Sequence, residues 1–394
     1  MKKRMRAPAR KRWHLLAGTA AALAVAAATL VAGCAAPASQ PVTGAGAGAT
    51  VQPGIPRYYV ELDSKGPVSE FAEPLAAATV RLTATGAVIA SIPMPRPYLG
   101  FVAVTGAADD RTFVLLAHGR TDPFTGVIPE RFFVLRIAPD APSAAARARL
   151  TALPARDLPG GQAATILSPG EQVGTMALSA DGRSLAAILT LGSGSLDIYN
   201  LATGKTRSWV WKPCAQCDQI PLTNDLLLNP SAPALSWTSD GSSVAFTTMS
   251  SSPLVTQLWL LHLGAPGNNA VADSSLYAAI HAPVSSWEQA VMTPDGKTVF
   301  LKLEVQTGSP LGSFSLMRIA PATGHLVTIN TLPMIETAGY TNYGPMTADT
   351  LVWTNDNGSK IIIADARPGH TLGVYSGGRY TPLPWPPRAV VAAW

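Results

Sequence analysis

The sequence predicts an all-β fold built from a repeated four-stranded unit, and three observations predict it. Short apolar runs alternate with Gly, Pro, Asn and Asp-Gly pairs, with no helical period longer than about three turns. A motif of Ser or Thr, one further residue, Asp and usually Gly recurs along the chain, and a second pair of apolar runs follows most copies. Repetition of such a unit is typical of the blades of a β-propeller.

The turn motif occurs in five copies. They are AADDRTFVLLAH (107–118), LSADGRSLAAIL (178–189), WTSDGSSVAFTT (237–248), MTPDGKTVFLKL (292–303) and MTADTLVWTN (346–355). The repeated acids are taken to be Asp110, Asp181, Asp240, Asp295 and Asp349, which are 71, 59, 55 and 54 residues apart. Asp-Gly between β-prone runs predicts a hairpin turn, because Gly tolerates the positive φ that the turn needs. We therefore interpret these carboxylates as turn formers that accept local backbone N–H groups, rather than as catalytic acids.

The runs between the motifs predict the outer strands of each unit, as in LDIYNLATGKTRSWVW (196–211) and FSLMRIAPATGHLVTI (314–329). Five motifs predict five blades, and residues 57–95 supply most of another. Ring closure needs a strand from the other terminus, and residues 389–394 are the β-prone candidate. The prediction is therefore a propeller of six or seven four-stranded blades over residues 57–394, with a pair of β-sandwiches as the alternative. Short helices are expected near residues 70–77 and 143–149.

The motif copies resemble the WD40-like repeats of TolB-type β-propellers, and the resemblance covers most of residues 57–394. Trp237 and Pro294 match the fuller W-S-P-D-G form of these repeats, each in a single copy. The resemblance implies the same propeller fold that the repeated unit predicts. It names no substrate, because one fold carries many functions.

The N-terminus has the anatomy of a secretory signal. Residues 1–12 carry seven Lys and Arg and no acid, and an uncharged stretch rich in Ala and Leu follows to residue 33. The end of that stretch, Val31-Ala32-Gly33-Cys34, resembles the lipobox of bacterial lipoproteins, which implies that Cys34 is lipidated. The alternatives are an uncleaved anchor, since about 20 apolar residues can span a bilayer, and an ordinary signal that a Cys happens to follow. Each of them places residues 35–394 outside the cytoplasm, and we expect them on the outer face of the cell membrane.

This interpretation divides the chain into three predicted segments. They are a signal peptide at 1–33, the lipidated Cys34 with a tether to residue 56, and the propeller at 57–394. The tether is uncharged and rich in Ala, Gly and Pro, so it cannot bury enough apolar surface to order itself. Removing the leader leaves 22 Lys and Arg against 24 Asp and Glu, a net charge near −2. The basic pI therefore belongs to the leader, and no nucleic-acid partner is expected.

Cys214 and Cys217 form a C-x-x-C, which we interpret as a local disulfide in an oxidising compartment. No metal site is expected, because zinc would need two further ligands near by, and haem attachment would need His where Asp218 stands. Gly204-Lys205-Thr206 matches the end of a phosphate loop without its leading Gly, so no nucleotide is expected either. The five His residues beyond the leader share no spacing and are interpreted as strand or turn residues.

The loops that enter the innermost strands of a propeller converge on one rim, and aromatic residues there suit partner or carbohydrate contact. The candidate binding residues are Tyr98, Trp287, Glu288, Tyr340, Asn342 and Tyr343. Alternatively, these side chains pack between the blades. No G-x-S-x-G motif is present, so the prediction is a binding or scaffolding module for a protein or cell-envelope ligand, without cofactor or catalytic residue. The alternatives are an envelope hydrolase or lyase with acids meeting in the channel, and a sensor domain.

Overall fold

The computed structural model describes residues 55–64, 76–120, 129–138, 140, 147–153, 156–157, 163–164, 173–189, 195–210, 219–220, 235–251, 254–264, 267–280, 286–293, 299–305, 313–320, 325–333, 350–354, 360–364, 373–376, 379–383 and 389–393. The strands in chain order are β1 Tyr58–Ser64, β2 Ala76–Leu82, β3 Val88–Ile92, β4 Gly100–Gly106, β5 Thr112–His118, β6 Glu130–Ile137, β7 Ala148–Ala152, β8 Arg156–Asp157, β9 Ala163–Ala164, β10 Val173–Leu178, β11 Ser184–Leu189, β12 Ser195–Asn200, β13 Thr206–Val210, β14 Gln219–Ile220, β15 Leu235–Trp237, β16 Ser243–Ser251, β17 Leu254–His262, β18 Ser274–Ile280, β19 Ser286–Met292, β20 Val299–Val305, β21 Ser313–Ala320, β22 His325–Pro333, β23 Thr350–Thr354, β24 Lys360–Ala364, β25 Gly373–Ser376, β26 Arg379–Pro382 and β27 Ala389–Ala393.

These strands pair antiparallel into sheets that repeat one meander. The sheets are β27-β1-β2-β3, which we call the first, then β4-β5-β6-β7, β10-β11-β12-β13, β15-β16-β17-β18, β19-β20-β21-β22 and β23-β24-β25-β26. In the fourth sheet β14 pairs with β16 as well, and β8 and β9 form a separate two-stranded ribbon. The described residues supply six such sheets, and the number of blades in the whole chain, six or seven, stays a prediction.

The first strand listed for each sheet lies innermost, and these strands contact one another in a closed cycle: β27, β4, β10, β15, β19, β23 and back to β27. The first sheet joins the first and last of the described strands, with Val60 of β1 opposite Ala393 of β27. This arrangement is a β-propeller, so the predicted all-β propeller fold is confirmed. The predicted closure of the ring by the C-terminal strand is also confirmed.

Hydrophobic cores lie between consecutive sheets, because both faces of a blade are covered by its neighbours. In β5, Phe113 and Leu115 pack against the first sheet, while Val114 and Leu116 pack against the third. All four side chains are buried, and full burial of each contributes about 1.5–3 kcal/mol. This two-sided burial explains why the strands that follow the turn motifs are continuous apolar runs rather than alternating ones.

Hydrogen bonds also join successive innermost strands near the residue that precedes each turn motif. In each bond a side chain of one sheet meets a backbone group of the next. Leu178 N–H donates to Thr105 Oγ1 at 3.2 Å, Trp237 Nε1–H donates to the Ala177 carbonyl at 2.9 Å, and Met292 N–H donates to Ser236 Oγ at 3.1 Å. Nothing in the local sequence marks these residues, because their partners are 56 to 73 residues away.

The predicted helix at 70–77 is wrong where the structure describes it, whereas the one predicted at 143–149 is helical at Arg147 and gives way to a strand at Ala148. Ala76 and Ala77 belong to β2, which pairs on both edges with β1 and β3, and Ala148 and Arg149 belong to β7, which pairs with β6. Strand pairing in the folded sheet overrides the helix propensity of these Ala-rich segments. The remaining residues of 70–77 and most of 143–149 lie outside the described part. Across the described residues, no helix is long and apolar enough to cross a membrane.

Candidate functional site

The two ends of a sheet are distinguished by the turns and loops that they carry. We call the end that carries the turns 107–111, 179–183 and 238–242 the lower rim. We call the other end, where the chain enters each innermost strand, the upper rim. In the second sheet, the upper rim is marked by the pairing of Gly100, the first residue of β4, with His118, the last residue of β5. The sequence predicts that the candidate binding residues lie in loops of the upper rim.

At the lower rim, Asp181 closes the turn of the third sheet. Its carboxylate accepts the hydroxyl of Ser179 at 2.7 Å and the backbone N–H of Arg183 at 3.1 Å. The Ser179 hydroxyl is the main cause that lowers the pKa of Asp181 below its usual value. Gly182 follows with φ 66°, the positive value predicted for the Gly of this motif.

Asp240 repeats this arrangement in the fourth sheet. It accepts the backbone N–H of Ser242 at 3.0 Å and the hydroxyl of Thr238 at 2.7 Å. The backbone N–H of Ser242, helped by the two hydroxyls, lowers the pKa of Asp240 to about 2. The interpretation of Asp181 and Asp240 as turn formers is therefore confirmed. Asp295 and Asp349 lie outside the described residues.

In the second sheet, the identification of Asp110 as the repeated acid was wrong by one residue. Asp109 accepts the backbone N–H groups of Arg111 at 2.9 Å and Thr112 at 2.8 Å, which is the role of the motif Asp. Asp110 has φ 61° and so occupies the position of the motif Gly, which has φ 66° at Gly182. The sequence AADDRT contains two Asp and no Gly, so the register of the motif is ambiguous there. Short polar residues such as Asp tolerate this region better than other non-Gly residues.

The carboxylate of Asp110 contacts the N-terminal strand instead of its own turn. It accepts the backbone N–H of Arg57 at 2.6 Å and of Tyr58 at 2.9 Å. Burial raises the pKa of Asp110 above its usual value, and the two N–H groups oppose that shift. Asp110 therefore connects the second sheet to the start of β1 in the first sheet.

At the upper rim, Tyr98 lies in the loop that connects β3 to β4. Its backbone N–H donates to the Pro95 carbonyl at 3.0 Å. Its ring is half-buried and meets Phe133 edge to face, with 5.5 Å between ring centroids and an interplanar angle of 82°. Tyr98 thus packs between the first and second sheets, as the alternative interpretation proposed, and still keeps part of its surface in solvent.

The side chains of His118 and Glu130 are in direct contact at the upper rim of the second sheet. They are direct cross-strand neighbours, the last residue of β5 and the first of β6, and His118 Nε2 faces Glu130 Oε1. The Glu130 side chain is 1% exposed and that of His118 is 26% exposed. A buried carboxylate thus supports a partly accessible imidazole. The sequence pattern does not reveal this pair, because only the pairing of β5 with β6 brings the two residues together.

The other histidine whose side chain is described, His262, has a different setting. It is exposed at the lower rim, where its Nδ1 lies 2.7 Å from the hydroxyl of the buried Ser243 in the same sheet. His118, His262 and His325 are all strand residues, as predicted. Among the described residues, no three His, Cys, Asp or Glu side chains group as metal ligands.

The other predicted binding residues are not brought together by the described structure. Trp287 and Glu288 are the second and third residues of the innermost strand β19, whereas the prediction assigned them to the loop before it. The pairing with β20 shifts between Trp287 and Gln289, which leaves Glu288 at a bulge. Tyr340, Asn342 and Tyr343 lie outside the described residues, as do Cys34, Cys214 and Cys217.

Comparison with known proteins gives distant structural similarities. TolB from Acinetobacter baumannii is 14% identical with a TM-score of 0.47, and the alignment covers 85% of this chain and 66% of that chain. An oligogalacturonate lyase in complex with manganese is 11% identical with a TM-score of 0.47, over 79% of this chain and 73% of that chain. The β-propeller domain of Cps50 (Swd1) from Myceliophteria thermophila is 13% identical with a TM-score of 0.42, over 81% and 80%. No family model matches this chain, and no curated protein matches its sequence.

Proposed function

We propose that this protein is a membrane-anchored, extracytoplasmic propeller that binds a protein or cell-envelope ligand at its upper rim. The observation that carries the proposal is the placement of Tyr98 and His118 at the same end of the second sheet. Both side chains are partly exposed, and both are fixed by buried neighbours, Phe133 and Glu130. Partly exposed aromatic and polar groups on a rigid scaffold are suited to recognition, because little side-chain entropy is lost on binding.

The lower rim supports this choice of face by contrast. There the carboxylates of Asp109, Asp181 and Asp240 are all engaged by donors of their own turns. Asp110 is engaged by the backbone of the first sheet. These groups hold the turns in shape, so a ligand would have to compete with internal hydrogen bonds.

The location rests on the leader. Seven Lys and Arg precede an uncharged stretch that ends at Cys34, and the proposed lipid on Cys34 holds the domain on the outer face of the cell membrane. Replacing Cys34 by Ala should release the exported domain from the membrane fraction, whereas Cys214→Ala should not. If Cys34→Ala stays with the membrane like the unmodified protein, residues 13–33 are the anchor and lipidation is wrong.

An oxidising compartment also implies that Cys214 and Cys217 form a local disulfide. Exported protein that has not been reduced should then leave both thiols unlabelled by a maleimide, and reduction should expose two. Labelling of both cysteines before reduction would contradict the disulfide without affecting the proposed face.

Photo-crosslinking tests the binding face directly. A benzoyl-phenylalanine in place of Tyr98, in the anchored protein on intact cells, should capture a discrete partner. The matched control places the same group at Lys205, an exposed residue in the turn between β12 and β13 at the lower rim. Equal capture from both positions, or none from Tyr98, would contradict binding at the upper rim.

A further inference from the structure

We propose that the lower rim of the first three sheets faces the membrane and that its basic side chains contact anionic lipid head groups. These side chains, which we call the basic band, are Arg57, Arg111, Arg136, Arg149, Arg183 and Lys205. This inference rests on the anchored, extracytoplasmic location in the proposed function. It adds the orientation of the propeller, because a ligand at the upper rim would then bind on the side away from the bilayer.

The chain enters the propeller at the lower rim. Arg57 directly precedes β1, and its backbone N–H donates to the carboxylate of Asp110 at 2.6 Å. Its carbonyl accepts the backbone N–H of Thr83 at 2.9 Å, so the entry point is held at this rim from two sides. Cys34 stands 23 positions before Arg57 in the sequence. A Gly-rich chain of that length spans about 25 Å on average, so a lipid on Cys34 would keep the lower rim close to the bilayer.

The turns that carry the basic band are joined by backbone hydrogen bonds. Ala108 N–H donates to the Ala180 carbonyl at 3.1 Å, which links the turn of the second sheet to that of the third. Leu201 N–H donates to the Arg183 carbonyl at 2.9 Å, which links the same turn to the one that contains Lys205. The basic residues of these turns therefore belong to one continuous surface that runs from sheet to sheet.

The band also contains two like charges that repel each other. Arg136 of β6 and Arg149 of β7 are directly opposite in the second sheet, and both side chains are exposed. Like charges at such a cross-strand pair destabilise the sheet. An anion bound beside the pair offsets the repulsion, so this part of the rim favours an anionic partner.

The acids that the structure describes at the lower rim of these three sheets are fewer, and most are engaged within the fold. They are Asp109, Asp110, Asp140 and Asp181. Asp109 and Asp181 accept N–H groups of their own turns, and Asp110 accepts those of Arg57 and Tyr58. Arg183 lies 3.8 Å from Asp181, yet its side chain is 82% exposed. All six side chains of the basic band are exposed, so the rim presents positive charge to its surroundings.

A phospholipid surface matches this rim because it offers many phosphates in one plane. The guanidinium group of Arg can donate two parallel hydrogen bonds to a phosphate. Lys and Arg residues near an anionic bilayer each add to binding, and their attraction falls off within a Debye length. The basic band attracts any polyanion, but the chain enters the propeller at the same rim, which favours the membrane as its partner.

The first experiment identifies the rim that touches lipid. The exported full chain is incorporated into vesicles of equal parts phosphatidylglycerol and phosphatidylcholine, which contain a phosphatidylglycerol with a diazirine in its head group. After illumination, mass spectrometry should find lipid on the turns 107–111, 179–183 and 201–205, and not on the upper-rim loop 93–99. Labelling of the loop 93–99 as strong as that of the turns would overturn the orientation.

The second experiment measures the contribution of single charges. Exported Cys34→Ala protein, which lacks the proposed lipid, should float with the same vesicles and should not float with pure phosphatidylcholine. Arg111→Gln and Arg183→Gln should each weaken this binding about fivefold, the effect of one basic residue near an anionic bilayer. Arg96→Gln is the matched control, because Arg96 is exposed in the loop 93–99 at the upper rim, and its binding should be unchanged. Circular dichroism confirms that each variant is folded.

Ionic strength supplies an independent check, since vesicle binding should be lost at about 1 M salt, where the Debye length is about 3 Å. Equal binding to neutral vesicles, or equal losses in Arg96→Gln and Arg183→Gln, would contradict the basic band.

Failure of this inference can be separated from failure of the proposed function. If the turns are labelled by lipid but the crosslinker at Tyr98 captures no partner, the orientation stands and the proposed binding face is wrong. If the crosslinker captures a partner but lipid labels neither rim, the proposed function stands and the basic band is wrong. If Cys34→Ala stays in the membrane, lipidation is wrong, and labelling of the two rims still decides the orientation.

Discussion

The carboxylate of Asp110 accepts the backbone N–H of Tyr58 at 2.9 Å, across 52 residues of sequence. Tyr58 begins β1, the strand that also pairs with the C-terminal strand β27. Asp110 therefore contacts the sheet in which the first and last described strands pair. Its backbone has φ 61°, a conformation that costs a non-Gly residue about 1 kcal/mol or more. The contact with β1 offsets that cost.

Substitutions at Asp110 should separate these two effects. Asp110→Gly relieves the backbone but leaves the N–H groups of Arg57 and Tyr58 without their acceptor, so we expect a net loss of about 1–2 kcal/mol. Asp110→Ala loses the acceptor and keeps the unfavourable φ, so it should be about 1 kcal/mol less stable than Asp110→Gly. Urea unfolding measures both. If Asp110→Ala is as stable as the unmodified protein, Asp110 does not support the ring closure.

The pH dependence of stability should have opposite signs at Asp110 and Asp181. Burial raises the pKa of Asp110, so its proton favours the folded state, and its contribution grows as pH falls through that raised pKa towards 3.8. The pKa of Asp181 is lowered, so its contribution is present above pH 3.8 and is lost as pH falls below it. As pH is lowered from 7 to 4, the free energy of unfolding of the unmodified protein, measured with urea, should therefore rise relative to that of Asp110→Asn. The difference in free energy of unfolding between the unmodified protein and Asp181→Asn should stay constant over that range and should become smaller below pH 4.

Asp240 offers a direct measurement of the turn. Its carboxyl should titrate with a pKa of about 2 by ¹³C NMR, because the Ser242 backbone N–H and the Thr238 and Ser242 hydroxyls all favour the ionised form. Thr238→Val removes one of these donors and should raise the pKa of Asp240. Thr203→Val, in the turn between β12 and β13 of another sheet, is the control and should leave it unchanged. An Asp240 pKa near 3.8 in the unmodified protein would show that the turn bonds do not persist in solution.

The motif of Ser or Thr, Asp and Gly predicted the turns well, because each of their hydrogen bonds joins residues within five positions of one another. Prediction failed by one residue at Asp110, where the motif lacks Gly. The local sequence there cannot distinguish the Asp that closes the turn from the one that takes the positive φ. The actual partners of Asp110 lie more than 50 residues earlier, beyond any local pattern.

The candidate site shows the same limit. Tyr98 could be chosen from the sequence because it is an aromatic residue between two predicted strands. His118 could not, because its significance depends on a buried Glu130 across a loop and on the strand register that pairs them. Residue type and spacing predicted the repeated unit, whereas the chemistry of the upper rim comes from pairing between strands.

Two glycines with the same backbone conformation allow the packing between blades to be measured. Gly182 and Gly241 both have φ 66°, so replacement by Ala should cost each about 1–2 kcal/mol from the backbone alone. A Cβ at Gly182 would lie 3.2 Å from Thr112 Cβ in the neighbouring sheet, whereas a Cβ at Gly241 would meet nothing within 4 Å. Gly182→Ala should therefore be about 1 kcal/mol less stable than Gly241→Ala by urea unfolding. Equal losses would mean that the turns do not pack against one another.

Thr105→Val tests the hydrogen bonds that join the innermost strands. The substitution keeps the shape of the side chain and removes the hydroxyl that accepts Leu178 N–H at 3.2 Å. A backbone N–H that loses its acceptor inside the ring costs about 1–3 kcal/mol, and urea unfolding should show a loss of that size. The matched control is Thr151→Val on the outermost strand β7, where the side chain is exposed and the effect should stay within about 0.5 kcal/mol. Hydrogen exchange adds a local readout, since the Leu178 amide should exchange faster in Thr105→Val while amides of the outer strand β13 keep their protection. Unchanged exchange at Leu178 would show that pairing with β11, rather than the contact with Thr105, holds β10 in the ring.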